Sequence, residues 1–175
     1  MKIEKLCEAG YQAAMLGLSL SRLQPVEKMP LVAEVLVQRG EPHCKFMRHI
    51  KTWWLITAPW YWWKHFEMYQ VGVNWPDIQS SSTMYKILSR QLTQDDFETP
   101  IDIAVLQVVN EAIVTKDFER AIANLPGAYL YTKEVCADYA AIRNIISQRT
   151  DHKLKEWEAF LDAVLAQVEH PELLE

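Results

Sequence analysis

Six of the seven tryptophans of this 175-residue chain lie between Trp53 and Trp75. Rings of that size must leave water together, so whatever core the chain builds passes through this stretch. Its first part, His49 to Thr57, sets Trp53, Trp54 and Ile56 among further aromatic and β-branched residues and predicts a strand buried on both faces. Pro59 suits the first turn of a helix. Trp60, Trp63, Phe66 and Tyr69, spaced by three, predict one aromatic face on that helix, flanked by Trp62 and His65. The run reads either as plain core or as a stacking wall for a flat ring, worth about 1–3 kcal/mol per stacked base.

Helical periodicity accounts for most of the remainder. Ile3, Leu6, Ala13, Met15, Leu18 and Leu20 predict a helix from Ile3 to Leu23, closed by Gln24-Pro25. A second helix starts near Glu27, runs through Leu31, Val32, Val35 and Leu36 and stops at Gly40. Gly72 to Ser82, with Asn74, Pro76 and Asp77, reads as a long loop, and helical spacing returns from Thr83. Pro100 to Ile122 is helical, with a break at Thr115-Lys116-Asp117 and a stop at Leu125-Pro126-Gly127. Helices from Tyr131 to Arg149 and from Asp151 to Val168 complete the pattern. No repeat or linker interrupts it, so residues 1–175 are expected to form a single domain of α+β class, predominantly helical around a small β element.

A chain of this length can bury roughly 70% of its unfolded surface, enough for a core without staples. The net charge of −5 leaves no broad basic surface for nucleic acid. Cys7, Cys44 and Cys136 are odd in number and far apart, and read as reduced thiols. Lys2, Glu4, Lys5 and Glu8 interrupt the start of the chain, and no later stretch has the length of a membrane span, so a cytoplasmic protein with no membrane partner is expected.

The common phosphate-loop, dinucleotide, zinc-protease and hydrolase motifs are absent. His43, His49, His65, His152 and His170 are scattered, which argues against a metal site. Inside the aromatic run, Lys64 either attracts an anion or solvates the outer face of its helix, and His65 can donate or relay a proton. Ser82 or Thr83 either caps the next helix or helps hold a phosphate at its start. Arg149 either meets a helix dipole or grips a phosphate with two parallel hydrogen bonds.

Three blocks together resemble the flavin-dependent thymidylate synthases. Leu36-Val37-Gln38-Arg39-Gly40, Pro42-His43, Arg48-His49, the aromatic strand and Pro59 follow that family's order of a glycine, a histidine-bearing loop, a strand and a helix. Lys64-His65 falls where the family commonly has Arg-Gln. Met68-Tyr69-Gln70 stands at its Arg-His-Arg signature, Val73 at the serine downstream, and Ser82, Met84 and Tyr85 against its Ser-x-Arg-Tyr. Leu125-Pro126, Thr132, the stretch from Asp138 to Arg149 and that from His152 to Glu156 resemble the third block. There Asp138 occupies the place of the flavin-binding asparagine, Ala140 that of its arginine, and Arg149 coincides with the arginine of the substrate site.

The likeness covers residues 30 to 160 in layout, while most polar ligands of cofactor and substrate differ. It implies that scaffold and a homo-oligomer, in the family a tetramer, of a kind that phages and their hosts carry. It implies FAD as cofactor, with His43, Arg48 and Asp138 at the cofactor, and a deoxyuridylate-like nucleotide (dUMP) as substrate, with Arg149, Ser82, Lys64, His65 and Tyr69 around it. In the family, reduced flavin carries the hydride, a folate supplies the carbon, and the pyrimidine is methylated without an enzyme nucleophile. Three readings follow: a diverged flavin or nucleotide binder acting as a pyrimidine methyltransferase, an inactive binding or sequestering protein, and a structural or interaction module on the same scaffold.

Overall fold

The first residues do not continue into a helix as their spacing predicts. In the computed structural model, which describes residues 1–75, 78–82 and 86–175, Lys2–Ala9 form strand β1 and the first helix, α1, spans Tyr11–Arg22. Gly10 makes the break. Its φ of +100° is a conformation that side-chain-bearing residues rarely adopt, and a Cβ there would stand 1.9 Å from the His49 carbonyl oxygen. α1 buries Ala14, Met15, Leu18 and Ser19, one face of a helix. Helix α2, Met29–Arg39, buries Met29, Ala33, Leu36 and Val37 and ends at Gly40, as the glycine stop predicts.

Strand β2, Lys51–Pro59, occupies the expected aromatic stretch, but its burial alternates. Thr52, Trp54, Ile56 and Ala58 are buried and the residues between them half-buried, so one face carries the packing. Helix α3, Trp60–Phe66, follows Pro59. It buries Trp62, Trp63 and Phe66 and leaves Trp60 46% exposed, so its apolar face is rotated from the Trp60–Trp63–Phe66–Tyr69 line. Strand β3 is the short pair Gln79–Ser80, inside the segment read as loop. The expected return of a helix at Thr83, and the positions Pro76, Asp77, Met84 and Tyr85, lie outside the described residues; Ile87–Ser89 form one 3-10 turn.

Helix α4, Ile103–Val114, and helix α5, Phe118–Ala123, are separated at Thr115–Asp117 as the sequence predicts. The Asp102 and Asp117 carboxylates accept the Ala104 and Arg120 N–H groups at 2.7 and 3.1 Å and cap them. The second departure from expectation comes next. Leu130–Asp138 is strand β4, and helix α6 is confined to Tyr139–Arg149. Helix α7 spans Lys155–Gln167.

These elements sort into two units. The first comprises residues 1–2, 56–68 and 79–133, the second residues 3–55, 69–78 and 134–175. In the first, the end of β2 pairs with the start of β4, and β4 with β3. The Thr57 and Thr132 hydroxyls meet across the β2–β4 pair at 2.8 Å. Its helices close over a core of Ile87, Leu92, Phe97, Val109, Ala112, Ile113 and Ala121. Trp62, Trp63 and Phe66 pack ring on ring with centroids 5.1 to 5.6 Å apart, which for these rings is the plain-core reading.

In the second unit, β1 pairs with the start of β2, and β2 with the end of β4. The Thr52 hydroxyl donates to the Ala137 carbonyl at 3.0 Å, which fixes this register. Met15, Met29, Val37, Trp54, Ile142, Ile145, Trp157 and Val164 are buried in this unit. The structure is thus a mainly helical α+β fold with a small four-stranded antiparallel sheet. No helix among the described residues is long and apolar enough to cross a membrane.

Candidate ligand cleft

Where β4 becomes α6, the sequence places an aspartate, and its chemistry shapes one wall of a cleft in the second unit. Asp138 keeps an extended backbone, and its carboxylate accepts the Ala141 N–H at 2.9 Å, satisfying one of the free donors of the helix start. Its second oxygen accepts from Lys51 Nζ at 3.1 Å. The side chain of Asp138 is only 4% exposed, so that pair is anchored on the protein side. The anion position at this helix start is therefore filled by the chain's own carboxylate. Gly72 lies against it, its carbonyl accepting the Asp138 N–H at 2.8 Å. With φ at +81° and an added Cβ only 2.6 Å from Asp138 Oδ1, this position strains any residue but glycine.

Beside this junction opens a cleft of about 560 Å³. That volume falls in the range of small-molecule sites, roughly 300–1,000 Å³. Helix α6 supplies Ala140, Ala141, Arg143, Asn144, Ile146 and Ser147. The turn after α2 adds Glu41, Cys44, Met47 and Arg48, and Leu174 closes the far side. The small side chains at Ala140 and Ala141 leave the space that larger ones would fill.

The charges of the cleft are unevenly satisfied. Arg48 faces Glu41 at 3.9 Å with both side chains more than half exposed, a weak and water-screened contact. Arg143 reaches back to α2 and donates to the Val37 carbonyl at 3.2 Å. Its Nε is buried without a hydrogen-bond partner, and among the described residues no carboxylate pairs with it. Burial pushes the Cys44 thiol up, more than the Arg143 guanidinium pulls it down, so Cys44 stays protonated at neutral pH and is a poor nucleophile. No group of three or more His, Cys, Asp or Glu that could hold a metal ion is present among the described residues.

Of the residues singled out in the sequence, Arg48 and Asp138 line this one cleft. His43 is exposed on the turn that begins at Gly40, whose carbonyl accepts the His43 N–H at 2.9 Å. Tyr69 and Arg149 meet elsewhere in the second unit. The Arg149 guanidinium lies 5.3 Å from the centre of the buried Tyr69 ring and 4.8 Å from that of Trp157, a cation held between two π faces. Lys64, His65 and Ser82 belong to the first unit. Lys64 is exposed, 3.3 Å from Glu67 and 5.1 Å from the centre of the Trp60 ring, while His65 and Ser82 are half-buried. Sequence reasoning missed Met47, Arg143 and Asn144. The available signal was the face of α6 on which Ala140, Asn144 and Ser147 recur at helical spacing.

The residues around the cleft fit a phosphorylated ligand in one respect and not in another. The orphaned Nε–H of Arg143 fits a phosphate oxygen, while at the start of α6 the Asp138 carboxylate already takes the Ala141 N–H.

No protein-family model matches the sequence, and no curated protein matches it. Solved structures do match its fold. A flavin-dependent thymidylate synthase, ThyX, of Helicobacter pylori, complexed with FAD and dUMP, superposes with a TM-score of 0.79 at 12% identity, over 100% of this chain and 98% of that one. A second Helicobacter pylori ThyX structure, also with FAD and dUMP, gives 0.77 at 14% identity with the same coverage. The UMP/dUMP methylase PolB of Streptomyces cacaoi, bound with 5-Br dUMP, gives 0.70 at 12% identity over 94% of this chain and 88% of that one. The resemblance read in the sequence therefore holds for the fold, and over its whole length this chain has the fold of the flavin-dependent thymidylate synthases.

Proposed function

We propose that the chain is a divergent thymidylate-synthase-like protein that binds a phosphorylated pyrimidine, deoxyuridylate in class, or a flavin such as FAD. The observation that carries this reading is the cleft itself, a nucleotide-sized space lined by Arg48, Arg143 and Asn144, on a scaffold whose neighbours were crystallised with FAD and dUMP. In this reading Arg48 and Asp138 face the ligand in the cleft, with His43 on the turn beside it. Arg149 and Tyr69, elsewhere in the same unit, act on the nucleotide. The ligand's ring packs against Met47, Ile146 and Leu174. A bound flavin would supply hydride chemistry, and pyrimidine methylation is the activity that follows if both ligands are held. Residues 1–175 act as one domain, since the chain passes repeatedly between the two units through β2 and β4, and the protein works in the cytoplasm as a homo-oligomer, a tetramer in the manner of the resembling family.

A second reading, binding or sequestration without turnover, is favoured by one feature. Met68-Tyr69-Gln70 offers no arginine, and Asp138 has claimed the helix start, so a flavin's phosphates lose the charge-assisted contacts that bind most strongly. The visible spectrum of the purified protein with added FAD, followed by release of the C5 proton from deoxyuridylate in the presence of a methylene-bearing folate and a reductant, separates the two. A flavin band with turnover supports the methyltransferase, deoxyuridylate binding without turnover supports sequestration, and no binding of either ligand removes both.

A further inference from the structure

An arginine whose charge meets no carboxylate, and whose Nε–H is buried without an acceptor, is costly to maintain, because a buried donor left unsatisfied forfeits its full hydration. Among the described residues, Arg143 is such a residue. Its side chain hangs from the middle of α6, and one terminal nitrogen spends a hydrogen bond of 3.2 Å on the Val37 carbonyl, in the last turn of α2. The Nε remains enclosed with no partner, at a cleft of about 560 Å³ whose lining includes the same residue. The other cation lining the cleft, Arg48, is exposed and faces Glu41.

We infer that Arg143 is the anion anchor of the cleft, the residue that grips the phosphate of a nucleotide or flavin through its Nε–H and a terminal N–H. This inference rests on the proposed nucleotide or flavin binding and goes beyond it by naming the group recognised and the residue that recognises it. A guanidinium presents its donors in a fixed fork that matches two phosphate oxygens, and Arg143 is tied to α2 through one of its terminal nitrogens only. Asp138 caps the start of α6, and Arg143 places a positive charge one to two turns further along the same helix.

The merely structural alternative is that Arg143 only ties α6 to α2. The two roles separate on ligands that differ by a phosphate alone. Calorimetric titration of the full chain with deoxyuridylate against deoxyuridine, and with FMN against riboflavin, tells which of the two sources provides the phosphate. The anchor predicts that at least one phosphorylated member binds about tenfold to a hundredfold more tightly than its neutral partner. Inorganic phosphate should weaken that binding while leaving the neutral partner unaffected. Arg143→Gln, which retains a donor near Val37 but no charge, should abolish the preference, and Arg143→Lys should restore part of it. Neutral and phosphorylated ligands binding equally to the wild-type protein would overturn the anchor while leaving ligand binding intact, and so would a preference that survives in a folded Arg143→Gln. Binding of none of the four compounds would overturn the anchor together with the proposed function. Should Arg143→Gln fail to fold, Arg143→Lys carries the test, and a phosphate preference that it leaves unchanged would overturn the anchor.

Discussion

Tyr139 and Glu8 share a hydrogen bond of 2.5 Å that ties the first residue of α6 to strand β1. The same Glu8 carboxylate accepts from Lys5 Nζ at 3.2 Å and from the Glu169 N–H at 3.0 Å, so it joins three segments of the second unit. Burial, and then the hydrogen bond to Glu8, hold the Tyr139 phenol well above its ordinary range. The fold therefore stabilises the neutral phenol. Its contribution is full below about pH 10, where a free tyrosine is protonated, and is lost as pH rises toward the raised value of the folded state. Tyr139→Phe should lower stability at pH 7 by about 1–3 kcal/mol. Above about pH 10 the variant should lose stability less steeply than the wild type, because it has no phenol at this position to ionise on unfolding. Urea unfolding at neutral and alkaline pH reads both effects, and equal alkaline slopes would contradict the assignment.

Asp138 joins a helix cap to a pair with Lys51, so its removal strips both. Asp138→Ala should cost about 1–3 kcal/mol, and Asp138→Asn distinctly less, because an asparagine caps as well as an aspartate and only the Lys51 contact loses its charge. Thermal unfolding of the two variants orders them. An asparagine variant as unstable as the alanine one would show that the ion pair, with Lys51 40% exposed, outweighs the cap.

Gly72 is where the cleft wall is most sensitive to volume. In Gly72→Ala the new methyl would stand 2.6 Å from Asp138 Oδ1 and 2.9 Å from the Ala141 Cβ, on a backbone with positive φ. A loss of about 1–3 kcal/mol is expected, the range for a residue held in a sparsely populated backbone region. Ligand binding should fall with it, since the Asp138 carboxylate must move. Unchanged stability would mean that the segment from Val71 to Val73 adjusts freely.

Arg149 sits between Tyr69 and Trp157, and each contact of this kind contributes about 0.5–2 kcal/mol when desolvated. Arg149→Ala should therefore destabilise the protein by about 1–3 kcal/mol. Under the proposed function it should also weaken deoxyuridylate binding. A folded Arg149→Ala that binds the nucleotide with unchanged affinity would leave Arg149 with the structural role alone.

Much of this fold is legible in the residues, and the failures have physical causes. Strand β2, the stop at Gly40 and the break between α4 and α5 follow from aromatic clustering, a glycine and an aspartate cap. β1 was hidden because Ile3 and Leu6 stand three apart and imitate a helix, while its half-buried positions include Lys5 and Glu8, whose charges are matched to each other. Gly10 was the signal that separated strand from helix. β4 was hidden by Lys133-Glu134, which resembles a helix surface, although Tyr131, Thr132 and Val135 favour a strand and Asp138 marks the start of the helix after it. The cleft was legible only at Arg48 and Asp138. Arg143 escaped because an arginine in mid-helix ordinarily solvates an outer face, and only the folded chain shows its bond to Val37 and its buried Nε.

The most direct test of the central claim is calorimetric titration of deoxyuridylate into the purified protein, repeated with FAD while the visible spectrum is recorded. The proposed function predicts a saturable heat for at least one of the two, and a perturbed flavin band if that one is FAD. Absence of both would contradict it, leaving a thymidylate synthase fold that serves neither ligand.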